Sequence, residues 1–396
     1  MATALVLDGH LKSALSCVRS LGQSKISVVC GAERPYAMSL YSKYVAEQFV
    51  YVSPKVNQEK FVAEILAQAK KLQVEDGEKP IVFCFSDATL LTLVRDLQVL
   101  KEYIVISLPA LESVEIASDK VQTYELAKSL SIPTITTYQE YEFELVTYPA
   151  VVKNRHSIVW KQGKSQSGSA TFVFSKDELL VQFKKIKKET GEDPLVQQFI
   201  QGEEYGVEMV CCEGEPCAIF VHKRIRSLSP QGGAAVVKET ALETEEVALM
   251  RMYAQKLAHT LKWHGPIMIE FKIDSETGEV LLMEINGRFW GSLPLAVRAG
   301  VNFPMMVYQL GGGHTVKKMS ETSFPPYVRT RHFLGDCRWF LSVFFKKDWL
   351  RPILYPSRIR ALWDFKKEVF ISRGDVFLWG DLKPSIMEYI DIVSKR

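Results

Sequence analysis

The stretch from Ile267 to Trp290, IMIEFKIDSETGEVLLMEINGRFW, constrains this chain more than any other. Ile267, Ile269, Phe271 and Ile273 alternate with Met268, Glu270, Lys272 and Asp274, the period of two of a half-buried strand. SETGE supplies a polar turn, in which Gly278 is free to take conformations closed to other residues. Val280 to Ile285 resumes as a second strand, broken by Glu284. A hairpin centred near Thr277 sets Glu270 opposite Glu284 on one face, with Asn286 further along that face. Opposed carboxylates repel, and among isoleucines and leucines they call for a cation between them. Two carboxylates and an amide oxygen are hard ligands, suited to Mg2+ (or Mn2+) rather than zinc. Arg288, just beyond, is a fixed cation suited to phosphate or carboxylate oxygens. The plainer alternative is an edge hairpin whose Glu270 and Glu284 face water. A register slip of one residue would separate the pair.

At 396 residues the chain is long enough for two or three domains. Its net charge of +3 is too small to point to nucleic acid, although the stretch from Glu321 onward is distinctly basic. The seven cysteines are odd in number and show no zinc or disulfide spacing, so they read as free thiols in a reducing cytoplasm. MATALVLDGHLKSAL lacks the basic start of a signal peptide, and no run approaches the roughly 20 apolar residues of a membrane span.

Taken in order, Ala4–Leu7, Ile26–Cys30, Val50–Val52 and the IVFCF after Pro80 read as short strands. Helices alternate with them, so a small open parallel sheet is expected. Asp8-Gly9-His10 is no dinucleotide fingerprint; this part serves as a platform whose strand-end loops, Asp8-Gly9 and Ser86-Asp87, reach a substrate. Ser118 or Asp119 caps a helix that opens with Lys120. YPAVVK is a strand ending at Lys153, and GKSQSGSATFVFS is a small-residue loop able to wrap phosphate or simply to form a flexible hairpin. HKRIRSLSPQGGAAVVKE reads as a basic, solvated loop broken at Gly232-Gly233. Glu245 to Trp263 is an amphipathic helix. For the aromatic and basic tail after Pro325, packing against the rest of the chain is the expected fate. A partner surface and an anionic membrane surface are the alternatives.

The order of these pieces, with QQFIQGEEYGVE and MEINGRFWGSLPLAVRAGVNFP, resembles the ATP-grasp superfamily up to about residue 315. The resemblance implies an α/β and α+β architecture. A Rossmann-like pre-ATP-grasp domain would span 1–112, and an ATP-grasp domain 113–320 with its small lobe near 133–200. A basic, aromatic extension would pack on it from 321 to 396. It further implies that Lys120 and Lys153 contact ATP phosphates under a loop from Gly163 through Ser167 to Gly168. Gln197, Ile200 and Met283 would hold adenine, and Glu204 the ribose. Glu270, Glu284 and Asn286 would ligate Mg2+, and Arg288 would stabilise a phosphorylated intermediate. Ser292 stands where biotin carboxylases carry a catalytic carboxylate, a departure from that branch.

The implied activity is ATP-dependent joining of a carboxylate to an amine through an acyl phosphate, as in amino-acid or small-peptide ligases. Arg224 or Arg226 is a candidate for holding a substrate carboxylate. The alternatives are bicarbonate chemistry like that of carbamoyl-phosphate synthase or the carboxylases, and a non-catalytic nucleotide-binding regulator. The expected partners are small molecules, with dimers common among such enzymes.

Overall fold

The computed structural model describes residues 2–161, 164–166, 170–319, 324–345 and 355–394. The chain opens with strands β1 (Ala4–Val6), β2 (Val28–Ala32), β3 (Glu47–Val50) and β4 (Ile81–Phe83), with helices α1 (Lys12–Gln23) and α2 (Gln58–Asp76) among them. The strands form one all-parallel sheet in the order β3-β2-β1-β4. β1, β2 and β4 are buried along their whole length, as strands covered on both faces must be. The third strand begins earlier than its apolar run suggests. Glu47 to Val50 pairs with Val29 to Ala32, and Tyr51 already lies beyond the strand.

Helix α3 (Lys120–Ser129) leads into a small antiparallel sheet of β5 (Thr137–Tyr138), β6 (Ala150–Lys153), β7 (Thr171–Val173) and β8 (Leu195–Gln198), packed under α4 (Lys176–Thr190). Phe143, Val152, Leu179, Phe183 and Val196 make its separate core.

The largest sheet has seven strands and carries the site. It contains β9 (Gly202–Cys212), β10 (Glu215–Ser229), β11 (Gly232–Thr240), β12 (Gly265–Asp274), β13 (Val280–Asn286), β14 (Arg329–Arg331) and β15 (Arg373–Gly374). Their order is β13-β12-β9-β10-β11-β14-β15. Helix α5 (Glu245–Thr260) lies on one face, with Val247, Met250, Ala254 and Leu257 buried at helical spacing. Trp263, Phe271, Phe289 and Trp290 are fully buried. At about 1.5–3 kcal/mol for each large side chain removed from water, they anchor the hairpin between the two halves of the molecule.

Two expectations change. HKRIRSLSPQGGAAVVKE is not a loop: it is most of the β10–β11 hairpin, irregular in register between Arg224 and Ser229, with both glycines of the break at positive φ. The tail also does more than pack on one neighbour. β14 extends the large sheet, helix α6 (Phe333–Phe345) packs on β10 with α7 (Arg358–Ile371) beside it, and α8 (Lys383–Ser394) reaches the segment Met38–Tyr41 of the first unit. One side of α7 remains bare: Ile359, Trp363 and Phe370 are 74%, 70% and 87% exposed, opposite the buried Ala361 and Glu368.

Candidate active site

The hairpin register decides the site. Ile273 pairs with Val280, Lys272 with Leu281 and Phe271 with Leu282. A bulge then takes up Met283, and Glu270 pairs with Glu284, Ile269 with Ile285, and Met268 with Asn286. Had the register near the turn continued, Glu270 would face Met283 and Glu284 would point to the opposite face. The bulge re-aims it. The alternation therefore predicts the correct pair, although the pairs beside the turn centre between Glu276 and Thr277 and only the bulge brings Glu270 opposite Glu284.

Both carboxylates open on a cleft of about 1350 Å³ between the small sheet, the large sheet and the tail. Cations surround them. Lys120 Nζ lies 3.6 Å from Glu284 Oε2, and Arg224 Nη2 lies 3.1 Å from Glu270 Oε2. Burial raises the Glu270 carboxyl above its ordinary value, against the pull of Arg224. Burial also pushes Glu284 up, but Lys120, Lys153 and Arg288 outweigh it and hold that carboxyl low. Lys153, in turn, is lowered by burial.

Asn286 Nδ2 donates to Glu270 Oε1 at 3.3 Å, and Arg288 Nη2 donates to Asn286 Oδ1 at 3.1 Å. Among the described residues no three His, Cys, Asp or Glu side chains cluster as a metal site. The set on offer is two carboxylates and one amide. That is the sparse oxygen set Mg2+ accepts when substrate phosphates and water complete its shell.

The first unit fixes Arg288. Asp8, at positive φ after β1, accepts from the Phe85 and Ser86 amides at 2.8 and 3.0 Å and from Thr89 Oγ1 at 2.7 Å. The loop so held carries Asp87, whose two oxygens accept from Arg288 Nε and Nη2 at 3.0 Å each. A bidentate pair of this kind sets the guanidinium's orientation. The strand-end loops of the platform thus reach the site through an arginine.

At the other end of the cleft, Ile135, Ile200 and Leu281 form an apolar cluster with Met283 against it. Gln197 Nε2 donates to Tyr124 Oη and Thr137 Oγ1 at 3.1 and 3.0 Å, leaving Oε1 as its accepting end. Tyr124 donates to the Met283 carbonyl and receives Lys153 Nζ at 3.4 Å. Burial pushes its phenol up to about 12, so it stays a donor.

Glu204 is engaged by Arg224 at 2.6 Å and by Lys272 at 3.2 Å. Arg224 therefore bridges Glu204 and Glu270. Arg226 also lines the cleft but pairs with Asp336 at 2.5 Å and lies 4.0 Å from the Trp339 ring centre, so the tail holds it. Asp119 caps α3, its side chain accepting from the Val121 amide, and pairs with Arg155 at 2.5 Å. Gly163, Ser167 and Gly168 lie outside the described residues.

Tyr124 is absent from the sequence reading, Lys272 enters it only as a polar strand position, and the partnership of Asp87 with Arg288 is not foreseen there. Tyr124 carried a signal, being four residues after Lys120 and so on the same helix face.

A parallel-sheet unit, a small antiparallel lobe and a large sheet, with lysines and opposed carboxylates facing a shared cleft, define a mixed α/β architecture built around one charged cleft. A family model described as "ATP-grasp in the biosynthetic pathway with Ter operon" matches residues 190–331. The carbamoyl phosphate synthase large chain of Methanosarcina barkeri is 23% identical over 226 residues, covering 54% of this chain and 20% of that one. The chain thus spans about a fifth of that relative's length.

Among solved structures, biotin carboxylase from Campylobacter jejuni aligns with a TM-score of 0.63 at 14% identity, covering 83% of this chain and 74% of that one. An L-amino acid ligase from Bacillus licheniformis aligns with a TM-score of 0.62 at 16% identity, covering 83% and 78%. Over residues 190–331 the chain is similar to the ATP-grasp family, and it shares its fold with these carboxylase and ligase structures.

Proposed function

We propose that this protein is an ATP- and Mg2+-dependent ligase that activates a carboxylate as an acyl phosphate and joins it to an amine. An amino-acid or small-peptide pair is the substrate class. The observation carrying this reading is the shared face of Glu270, Glu284 and Asn286, flanked by Lys120, Lys153, Arg224 and Arg288. The likeness to an L-amino acid ligase supports it at the level of the fold.

In this reading residues 1–112 are the platform, 113–320 the ATP-grasp body and 321–396 the extension. Ile200 and Met283 face adenine, Gln197 Oε1 accepts from its amino group, and Glu204 meets the ribose. Glu270, Glu284 and Asn286 would hold Mg2+, which when bound neutralises charge on the transferring phosphoryl group. Lys120, Lys153 and Arg288 bind phosphate oxygens, and Arg288, gripped by Asp87, needs little reorganisation to do so. The substrate carboxylate attacks the γ-phosphate in line and ADP leaves; the amine then displaces phosphate. Gly163, Ser167 and Gly168 are assigned to the phosphate-covering loop by resemblance. Arg224 is the better placed of the two arginines for a substrate carboxylate: both line the cleft, but its side chain is 18% exposed, whereas that of Arg226 is 8% exposed and packed against Asp336 and Trp339.

The test is phosphate release from ATP and Mg2+ across a matrix of amino acids and small acids, with Glu284→Ala as control. Release that needs one acid–amine pair and vanishes in the variant bears the reading out. Release driven by bicarbonate alone replaces it with carboxyphosphate chemistry. ATP binding without turnover across the matrix leaves a nucleotide-binding regulator.

A further inference from the structure

The proposed chemistry leaves one buried cluster beside the carboxylates unused. Glu208 on β9, His222 on β10 and Ser292, which follows the hairpin, are 0%, 4% and 4% exposed. The strand registers bring them there. His222, Gly206, Glu270 and Glu284 form one row across β10, β9, β12 and β13, and Glu208, Met268 and Asn286 form a neighbouring row. Gly206 is the gap in the first row. A Cβ at that position would lie 2.3 Å from His222 Cε1, so the imidazole spreads over bare backbone from β10 across β9.

His222 Nδ1 lies 2.9 Å from Glu208 Oε1, a charge contact that is not aligned as a hydrogen bond, and Ser292 Oγ donates to that same oxygen at 2.5 Å. Glu208 Oε2 has no hydrogen-bond partner among the described residues. A carboxylate removed from water at such expense needs a compensating charge or donor. His222 and Ser292 line the cleft together with Glu270, Asn286 and Arg288, and Glu208 sits behind them. The order from the cleft inward is imidazole, then carboxylate, the arrangement in which a histidine exchanges protons with a reacting group and the acid steadies its charged form.

We propose that His222 accepts the proton of the attacking amine, with Glu208 and Ser292 as positioning residues; this rests on the ligase reading above. The amine nitrogen attacks the acyl-phosphate carbon and the C–N bond forms. The C–O bond to phosphate breaks, its electron pair leaving with the phosphate. The N–H proton passes to His222 Nε2, and Glu208 beside Nδ1 stabilises the resulting imidazolium. The second substrate is therefore a proton-bearing amine, and the site distinguishes the two half-reactions: His222 serves the coupling step and has no part in the phosphorylation.

The experiment supplies ATP, Mg2+ and an equimolar mixture of the protein amino acids, with and without hydroxylamine. Hydroxamate is read by its iron colour and dipeptide by mass spectrometry. Hydroxylamine is already neutral and strongly nucleophilic near pH 7, so it captures acyl phosphate without a protein base. In His222→Gln, dipeptide formation falls by about 10²–10⁴-fold while hydroxamate stays within about threefold of wild type. Glu208→Gln shows the same split.

Equal losses of both products, or no loss of either, overturn the proposal. Wild-type protein that makes no hydroxamate sinks the ligase reading itself, and this proposal with it. Should His222→Gln fail to fold, Ser292→Ala carries the test. It lowers dipeptide by about tenfold with hydroxamate unchanged, and parallel losses count against the proposal.

Discussion

Two parts of this molecule bury charge, and they do it differently. Where the tail meets the rest of the chain, Asp375 sits between Lys12, at 2.8 Å, and Lys238; both Asp375 and Lys238 are wholly shielded from solvent. Asp336 sits between Arg226 and Arg331 at 2.5 and 2.6 Å, and Asp381 accepts from Arg19 at 2.9 Å. These contacts are short and closed. At the hairpin the nearest cations stand at 3.1 and 3.6 Å, and the Glu270 and Glu284 side chains remain 16% and 32% exposed toward the cleft. Buried charge alone is thus a poor mark of a site. Charge that is gathered, loosely answered and open to a cleft is a better one, because its remaining coordination is free for a ligand.

That contrast can be broken experimentally, and the sharpest blow falls on the closed cluster. Asp375→Ala strands Lys238 without its counter-ion and lowers stability by about 3–5 kcal/mol. Urea unfolding measures it, and an unchanged midpoint would show that the closed cluster is no more structural than the open one. Glu284→Ala acts the other way. Its unfolding midpoint stays near wild type, while ATP turnover falls by about 10²–10³-fold, roughly 3–4 kcal/mol on the barrier. A large stability loss with activity intact would reverse the assignment of the two regions.

Asp119 lies between these extremes. Burial pushes its carboxyl up, but Arg155, Gln122 and the Val121 amide outweigh it and hold the group at about 2. A carboxyl depressed on folding stabilises at pH values above its unfolded pKa, and that contribution is lost as pH falls through the folded value. Asp119→Asn therefore costs about 2 kcal/mol at neutral pH. The difference from wild type shrinks between about pH 4 and pH 2. A gap that persists unchanged to pH 2 would count against the Arg155 pair as its source. The smallest effect belongs to the solvent-exposed pair of Lys71 with Glu47: Lys71→Ala leaves the unfolding midpoint where it was. A measurable shift there would mean that open surface charges also carry weight.

Much of the architecture was legible from local chemistry. Alternation exposed the hairpin, unbroken apolar runs exposed the parallel strands, and Asp119 before Lys120 announced a helix start that the structure bears out. The β10–β11 hairpin was not legible. Its polar, basic residues look solvated, and nothing in their order says that Arg226 and Lys238 are buried against the tail's Asp336 and Asp375. The cluster of Glu208, His222 and Ser292 was equally hidden, since it depends on a glycine one strand away leaving room for a ring.

The sequence by itself determined which residues alternate, where helices begin and which carboxylates, lysines and arginines are available. Short-range sterics and hydrogen bonding act within a few residues, so their record is local. Tertiary structure alone decided the bulge at Met283 and the pairing of Asp87 with Arg288 across 201 residues of chain. A bulge reverses every side chain beyond it without altering the apolar pattern, and an ion pair depends on where two distant backbones come to rest. Both are outcomes of packing the whole chain, and no short stretch of it contains them.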